Sequence, residues 1–125
     1  MAKISDILDQ IVKESVDILG VCVFDHKSGV LIAEKNVDSK IDLAIPSAYF
    51  SEFVKSASGA VKAMGIPAEI DEYLITFNNF YLIIKSVKNM KHSILCYISL
   101  TENQSYIKEI LSKYEDPINK ELKII

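Results

Sequence analysis

The sequence contains no arginine, and all fourteen of its basic residues are lysines. Arginine supplies the planar, two-pronged donor that recognises phosphate groups and guanine edges. Its absence, together with a net charge of −3, argues against binding of nucleic acid. A chain without arginine also has no arginine finger to offer in a phosphoryl-transfer reaction.

Long apolar runs are lacking as well, and none approaches the roughly 20 residues that a membrane helix needs. The N-terminal segment becomes acidic and amphipathic from Asp6 onwards, so we expect no secretory signal. The two cysteines, Cys22 and Cys96, are too few for a disulfide framework or a four-ligand zinc site. We therefore expect a cytoplasmic protein that does not insert into a membrane.

Side chains that could form a catalytic site are few. A cysteine nucleophile needs a histidine as its base, but Cys22 and Cys96 lie within apolar segments, where cysteine is typically a small core residue. His26 falls in a predicted turn and His92 at the start of a predicted strand. The four glycines never form the spacing of a phosphate-binding loop. We expect no enzyme, no cofactor and no catalytic residue.

Two polar clusters allow a choice between chemistry and structure. In the segment Asp-His-Lys-Ser-Gly, we interpret Asp25 as the cap of its own turn, not as a metal ligand, and Gly29 as its positive-φ residue. Glu69, Asp71 and Glu72 precede a predicted strand, where charges discourage unwanted edge pairing. We favour that interpretation over a general acid–base pair, and we expect no metal site.

Hydrophobic periodicity predicts eight elements in the order αββαβββα. Tight turns between most of the strands favour an α+β fold with a five-stranded antiparallel sheet. Strands that are apolar on both sides require cover on both faces, so we expect the middle helix on one face and the terminal helices on the other. The predicted helices are 4–19, 46–64 and 102–113, and the predicted strands are 21–24, 30–34, 70–77, 80–87 and 92–100.

Local signals set the expected helix ends. Gly20 is predicted to follow the first helix, and Pro46 and Gly65 to begin and end the second. A capping box at 101–104 is predicted to start the third helix. Pro117 breaks the helical pattern beyond the predicted end of this helix. We expect one domain over 1–125, with its core in 4–114 and a tail at 115–125 that is either a short helix or a frayed end.

The middle helix carries more than the single apolar stripe that packing on a sheet requires. The stripe predicted to face the sheet consists of Phe50, Phe53, Val54, Ala57, Val61 and Met64. A flank of small residues with an aromatic end adjoins it, and it permits a close helix–helix contact: Tyr49, Ser56, Ala60 and Ala63. The other flank is predicted to be solvated: Ser47, Ser51, Lys55, Ser58 and Lys62.

The pattern resembles the roadblock family, the dynein light chain-related branch of the roadblock/longin superfamily. The resemblance spans about 4–114 and rests on the element order and on three motifs. These are an apolar strand, an Asp-containing turn with Gly and a second apolar strand at 21–33; a middle helix rich in Ala, Ser and Gly at 47–64; and Thr-Glu-Asn at 101–103.

The resemblance implies a binding platform and a dimer in which the middle helices and the third strands of two chains pair. We expect a homodimer, with a heterodimer of related chains as the alternative, through Tyr49, Phe53, Ser56, Ala60, Ala63, Ile70, Tyr73 and Ile75. The implied partner is a small Ras-like GTPase or a larger complex of the dynein type. We expect it to bind the outward side of the paired helices, at Ser51, Lys55, Ser58 and Lys62.

A second function class remains open, a small-molecule sensor of the profilin, PAS or GAF type, which also uses a five-stranded antiparallel sheet. A sensor needs a cavity between the sheet and a helix, lined by a few polar groups. The bulky stripe of the middle helix is typical of a filled interface and disfavours such a cavity.

Overall fold

A computed structural model describes residues 3–87 and 91–123. The predicted element order is confirmed. The polar loop predicted at 88–91 falls mostly outside the described residues. The elements are α1 (Ile4–Lys13), β1 (Ile18–Asp25), β2 (Leu31–Asn36), α2 (Ala44–Ala63), β3 (Glu72–Thr76), β4 (Phe80–Ser86), β5 (His92–Ser99) and α3 (Gln104–Leu122).

The five strands form one antiparallel sheet in the order β2-β1-β5-β4-β3. The first and last strands are therefore neighbours at the centre, where Val21 pairs with Cys96 and Cys22 with Leu95. Strands β2 and β3 form the two edges. Because side chains alternate along a strand, this register places Cys22 and Cys96 on opposite faces of the sheet.

Helices cover both faces of the sheet, as the strands' apolar character predicted. The terminal helices α1 and α3 pack on one face, against a cluster that includes Val21, Ile94 and Cys96. Helix α2 packs on the other face, against a cluster that includes Phe24 and Leu95. The predicted fold class, with the middle helix alone on its face, is confirmed.

The turn between β1 and β2 has the structure that its sequence predicts. The Asp25 carboxylate accepts hydrogen bonds from the backbone N–H groups of Lys27, at 2.8 Å, and Ser28, at 3.1 Å. Gly29 has a φ of +80°, a conformation that side chains with a Cβ rarely adopt. The segment therefore forms a hairpin turn that Asp25 caps, because the Asp25 carboxylate accepts hydrogen bonds from the backbone of the turn itself.

The first helix is shorter than predicted. It ends at Lys13, and β1 already begins at Ile18, so the helical spacing of Val16 and Leu19 is coincidental. Ile18 pairs with Ile98 in the sheet and is buried, whereas Val16 is 96% exposed. The Ser99 hydroxyl donates to the Asp17 carboxylate at 2.8 Å and holds the connection against β5.

Gly20 does not end a helix but lies within β1, so that prediction is wrong. A Cβ at this position would overlap the ring of Tyr97 and the side chain of Asn36. The glycine lets the Tyr97 ring lie directly over the strand, where its hydroxyl donates to Asn36 Oδ1 at 3.0 Å. Its function here is close approach, which is the other common reason for a glycine inside a strand.

The last helix is longer than predicted, because it continues through Pro117 to Leu122. Proline removes one intrahelical hydrogen bond and usually ends a helix. Here Ile118 and Leu122, beyond the proline, are buried in the core with α1, and this burial favours continuation. The predicted capping box is also wrong: the helix begins after Asn103 without a side-chain cap, and the Thr101 hydroxyl instead accepts the Asn103 backbone N–H at 3.1 Å.

Candidate functional site

Helix α2 is rotated by part of a turn from the predicted orientation, so that its serine flank also packs against the protein. Its buried residues are Ser47, Ser51 and Val54. The Ser47 hydroxyl donates to the Leu43 carbonyl at 2.7 Å, and the Ser51 hydroxyl donates to the His26 carbonyl at 2.6 Å. Both hydroxyls are therefore satisfied, which removes the usual penalty for burying a polar side chain.

Small side chains are needed here because α2 runs close to the β1–β2 turn. A Cβ on Gly29 would lie 3.0 Å from the Ala48 Cα atom. Ser51 therefore cannot bind a partner as predicted, since only 1% of it is exposed. The prediction that Ser47 and Ser51 lie on a solvated flank is wrong, because the helix needs small, hydrogen-bonded residues at this approach.

The rotation of α2 exposes residues that were predicted to lie in the core. Phe53 is 40% exposed and Met64 is 66% exposed. The Phe53 ring packs edge-on against Tyr73 of β3, with ring centroids 5.2 Å apart. Val54 is buried, and Phe50, Ala57 and Val61 are partly buried, so the prediction holds for four of the six residues of the stripe.

The exposed side of α2 forms an apolar stripe at helical spacings of three and four. Ile45 is 73% exposed and Tyr49 is 74% exposed, which is unusual for large apolar side chains on one helix face. We call these residues the α2 stripe: Ile45, Tyr49, Phe53, Ser56, Ala60, Ala63 and Met64. The stripe contains all five α2 residues predicted for the dimer interface, and all five are exposed.

The edge strand β3 lies beside this stripe. It pairs with β4 on one side only, so its other edge has no neighbouring strand in the described sheet. Tyr73 and Ile75 are partly buried on the α2 side, and Ile70, just before the strand, is partly buried too. Leu74 is 41% exposed.

Sequence reasoning missed three exposed apolar residues of this region, namely Ile45, Met64 and Leu74. Ile45 lies before Pro46, where the helix was predicted to start, although α2 begins at Ala44. Met64 was assigned to the core stripe. A helical wheel that begins at Ala44 would have grouped Ile45 with Tyr49, Ser56 and Ala63.

The lysine flank of α2 is exposed as predicted, apart from its two serines at 47 and 51. Lys55, Ser58 and Lys62 are all exposed. Gly59, between them, has open space around the position of an added Cβ. This flank lies on the other side of the helix from the α2 stripe, so the two surfaces share no residue.

A cleft of about 480 Å³ lies between the C-terminal half of α2, the segment before β3 and the β1–β2 turn. Burial raises the pKa of the Tyr73 hydroxyl, although the nearby Ser58 hydroxyl opposes this shift. Hence Tyr73 remains a neutral hydroxyl over the usual pH range. The lining includes His26, Lys27, Val54, Lys55, Ser58, Lys62, Glu69, Ile70 and Tyr73.

The cysteines and histidines do not form a nucleophilic pair in the described residues. Burial raises the pKa of the Cys22 thiol to about 12, and burial also raises that of Cys96. Both thiols are therefore protonated and unreactive in the folded state. His26 Nδ1 lies 2.9 Å from the Ser93 hydroxyl, and Cys22 Sγ lies 3.9 Å from Ser47 Oγ.

Within residues 3–87 and 91–123, no group of three or more His, Cys, Asp or Glu side chains is arranged to hold a metal ion. Within the same residues, no helix combines the length and apolar character needed to cross a membrane.

The sheet order, with one helix on one face and two terminal helices on the other, is that of the roadblock/LC7 fold, which the sequence resemblance implied. No family model matches the sequence, and neither does any curated protein. Among solved structures, MglB of Myxococcus xanthus superposes with a TM-score of 0.84 at 16% identity, over 97% of this chain and 95% of that chain.

Two other structures give the same result. A roadblock/LC7 domain from Streptomyces avermitilis superposes with a TM-score of 0.85 at 7% identity, covering 98% of this chain and 99% of that one. The gliding protein MglB of Thermus thermophilus gives a TM-score of 0.80 at 12% identity, over 96% and 88% of the two chains. At such identities the likeness establishes the fold.

Proposed function

We propose that this protein is a non-enzymatic, cytoplasmic adaptor or regulator that acts as a dimer and binds a small Ras-like GTPase or a larger complex. The observation that carries the proposal is the α2 stripe, an exposed apolar helix face. It lies beside strand β3, which pairs with β4 on one side only. Ile45 and Tyr49 are about three-quarters exposed, and large apolar side chains exposed together on one helix face are typical of a surface that a second protein covers.

The dimer follows from the composition of the stripe. Ser56, Ala60 and Ala63 are small and permit two helices to approach closely, while Ile45 and Tyr49 supply apolar area. Covering one large apolar side chain contributes about 1.5–3 kcal/mol. Two β3 edges can pair at the same time, and a two-fold axis satisfies both contacts with a single arrangement.

The partner class rests on the roadblock resemblance together with the fold. One solved structure of this fold is described as MglB with a tetrameric arrangement, so that protein assembles beyond a single chain. In the present chain, the exposed Lys55 and Lys62 lie on the flank that pairing through the α2 stripe leaves open. Lysines there attract acidic partners and raise the rate of association, an effect that salt weakens.

In this proposal the protein orients its partner and supplies no catalytic side chain of its own. The chain has no arginine to insert into a phosphate site. Any effect on GTP hydrolysis would therefore arise because the dimer orients residues of the GTPase itself.

Sedimentation of the purified chain tests the dimer. We expect the mass of two chains for the wild type and for a Ser112→Glu control, which places a charge on the exposed surface of α3. Ala60→Glu puts two like charges near the two-fold axis and should yield monomers. A dimer that survives Ala60→Glu would exclude the α2 stripe as the interface.

Affinity capture from the native cell extract tests the partner class. The wild-type dimer should recover a small GTPase, identified by mass spectrometry, in the presence of GDP or of a non-hydrolysable GTP analogue. A Lys55→Glu, Lys62→Glu double variant should recover less of it. If the wild type captures no GTPase in either nucleotide state, the partner class is wrong; equal recovery by both proteins would exclude the lysine flank.

A further inference from the structure

The cleft beside the C-terminal half of α2 combines an apolar floor with a charged rim. Val54, Val61 and Ile70 supply the apolar side chains, and the volume of about 480 Å³ accommodates a few side chains of a second molecule. The rim carries three lysines from two separate parts of the chain, Lys27 in the β1–β2 turn and Lys55 and Lys62 on α2. We call this site the lysine cleft.

Two of the three rim lysines have no acidic partner in the protein itself. Within the described residues, Lys27 and Lys62 form no ion pair, whereas Lys55 pairs with the exposed Glu52 at 3.4 Å. Glu69 is the acidic residue of the lining. The rim therefore carries a positive excess in a chain whose net charge is −3, and this local reversal of sign selects for negative ligands.

We propose that the lysine cleft binds a short acidic segment of a partner protein. One apolar side chain of that segment covers the floor at Val54 and Ile70, and carboxylates on either side of it meet Lys27 and Lys62. A small inorganic anion would satisfy the lysines but leave the apolar floor uncovered. Charge complementarity and the mixed lining together favour a peptide.

This proposal deepens the proposed role of the protein as a binding platform and rests on that role. It predicts what the partner presents at the surface, an acidic and apolar strand or loop, without depending on whether the partner is a GTPase. The cleft shares no residue with the α2 stripe, but Ile70 and Tyr73 of its lining also belong to the predicted dimer interface. Substitutions at the lysine rim, which lies outside that interface, therefore separate segment binding from dimerisation.

An NMR titration of the full chain tests the site. The probe is an acetylated, amidated peptide Glu-Leu-Asp-Ile-Glu, and the control is its neutral analogue Gln-Leu-Asn-Ile-Gln. We expect the acidic peptide to shift the backbone amides of Lys27, Ser58 and Ile70, with binding at least tenfold tighter than that of the neutral peptide. Raising the salt concentration should remove most of this difference.

Two variants and one competitor make the result decisive. Lys27→Glu with Lys62→Glu should weaken the acidic peptide at least tenfold while leaving the sedimentation mass unchanged, and Ser112→Glu should bind like the wild type. The proposal is overturned if the neutral peptide binds equally well or if the shifts lie outside the cleft. It is also overturned if inorganic phosphate reproduces the same shifts at the same concentration, since the site would then be an anion site.

The outcome is separable from that of the capture experiment. Peptide binding without capture of a GTPase would leave the lysine cleft valid and reject the partner class. Capture of a GTPase that is unaffected by Lys27→Glu, combined with no peptide shifts, would reject the cleft and keep the partner class.

Discussion

Among the described residues, the face of the sheet under α1 and α3 packs seventeen buried hydrophobic residues, whereas the face under α2 packs seven. The smaller cluster is bordered by half-buried aromatic rings and by two hydrogen-bonded serines. Two helices, α1 and α3, share the first face, but one helix alone covers the second. The difference indicates that the first face provides most of the stability, while the helix on the second face leaves part of its apolar surface exposed.

Matched leucine substitutions should produce the largest difference between the faces. Leu111 is fully buried under the terminal helices, and Leu82 is 5% exposed under α2. We expect Leu111→Ala to lower the free energy of unfolding by about 3–5 kcal/mol and Leu82→Ala by about 2–3 kcal/mol, measured by urea denaturation. Equal losses would contradict the unequal division of stability.

A methyl group at Gly20 tests how tightly the α2 face of the sheet is packed near the start of β1. Gly20→Ala brings a Cβ into the ring of Tyr97, which must move and lose its hydrogen bond with Asn36. We expect a loss of about 1–3 kcal/mol in urea denaturation.

The matched control for Gly20 is Gly59, whose added Cβ meets open space in a helix interior. Gly59→Ala should raise the stability by about 0.4–1 kcal/mol. Equal effects of the two substitutions would show that Tyr97 does not lie over the strand.

The buried serines sharpen the comparison further. Ser51→Ala leaves the His26 carbonyl without its donor at the α2–turn contact, and we expect a loss of about 1–3 kcal/mol. Ser112→Ala, at an exposed position of α3 outside the proposed interface, should change the stability by less than about 0.5 kcal/mol. If Ser51→Ala is equally neutral, α2 is not rotated as described.

Protonation of Asp25 in the β1–β2 turn should cause the smallest loss of stability among these predictions. Burial raises the pKa of the Asp25 carboxyl, but hydrogen bonds from Ser28 and Lys27 and the charge of Lys91 outweigh it, so the pKa is lowered overall. A lowered pKa stabilises the fold above the carboxyl's unfolded pKa of about 3.9, and this contribution is lost as the pH falls through the folded value.

Unfolding free energies measured between pH 2 and 6 test this effect. Asp25→Asn should flatten the dependence on pH below about 4 relative to the wild type. Asp38→Asn, at an exposed loop position, is the control variant. A wild-type slope that persists in Asp25→Asn would assign the acid sensitivity to another carboxyl.

The element order and the two-faced sheet could be predicted because they depend on strong local periodicity. Each central strand is apolar on both sides, and turn residues such as Gly29 and the asparagine pair at 78–79 mark where the chain reverses. These signals are local in sequence. They do not depend on the order in which the strands are arranged in the sheet.

The orientation of α2 could not be predicted in the same way. A helical wheel treats serine as polar and places it outside, but Ser51 finds its acceptor on His26, 25 residues earlier in the chain. The error moved the predicted core stripe by part of a turn and exchanged Ser51 for Met64. The same limit applies to α3, where burial of Ile118 beside α1 outweighs the local signal of Pro117.

The placement of the two cysteines has a practical consequence. Because Cys22 belongs to the cluster under α2 and Cys96 to the cluster under α1 and α3, each thiol is shielded by a different layer of the same molecule. The rate at which each thiol is modified by a reagent in native buffer therefore measures how often its own layer opens. Cys22 should be labelled faster than Cys96, and occupancy of the α2 stripe by a second chain should slow only the first.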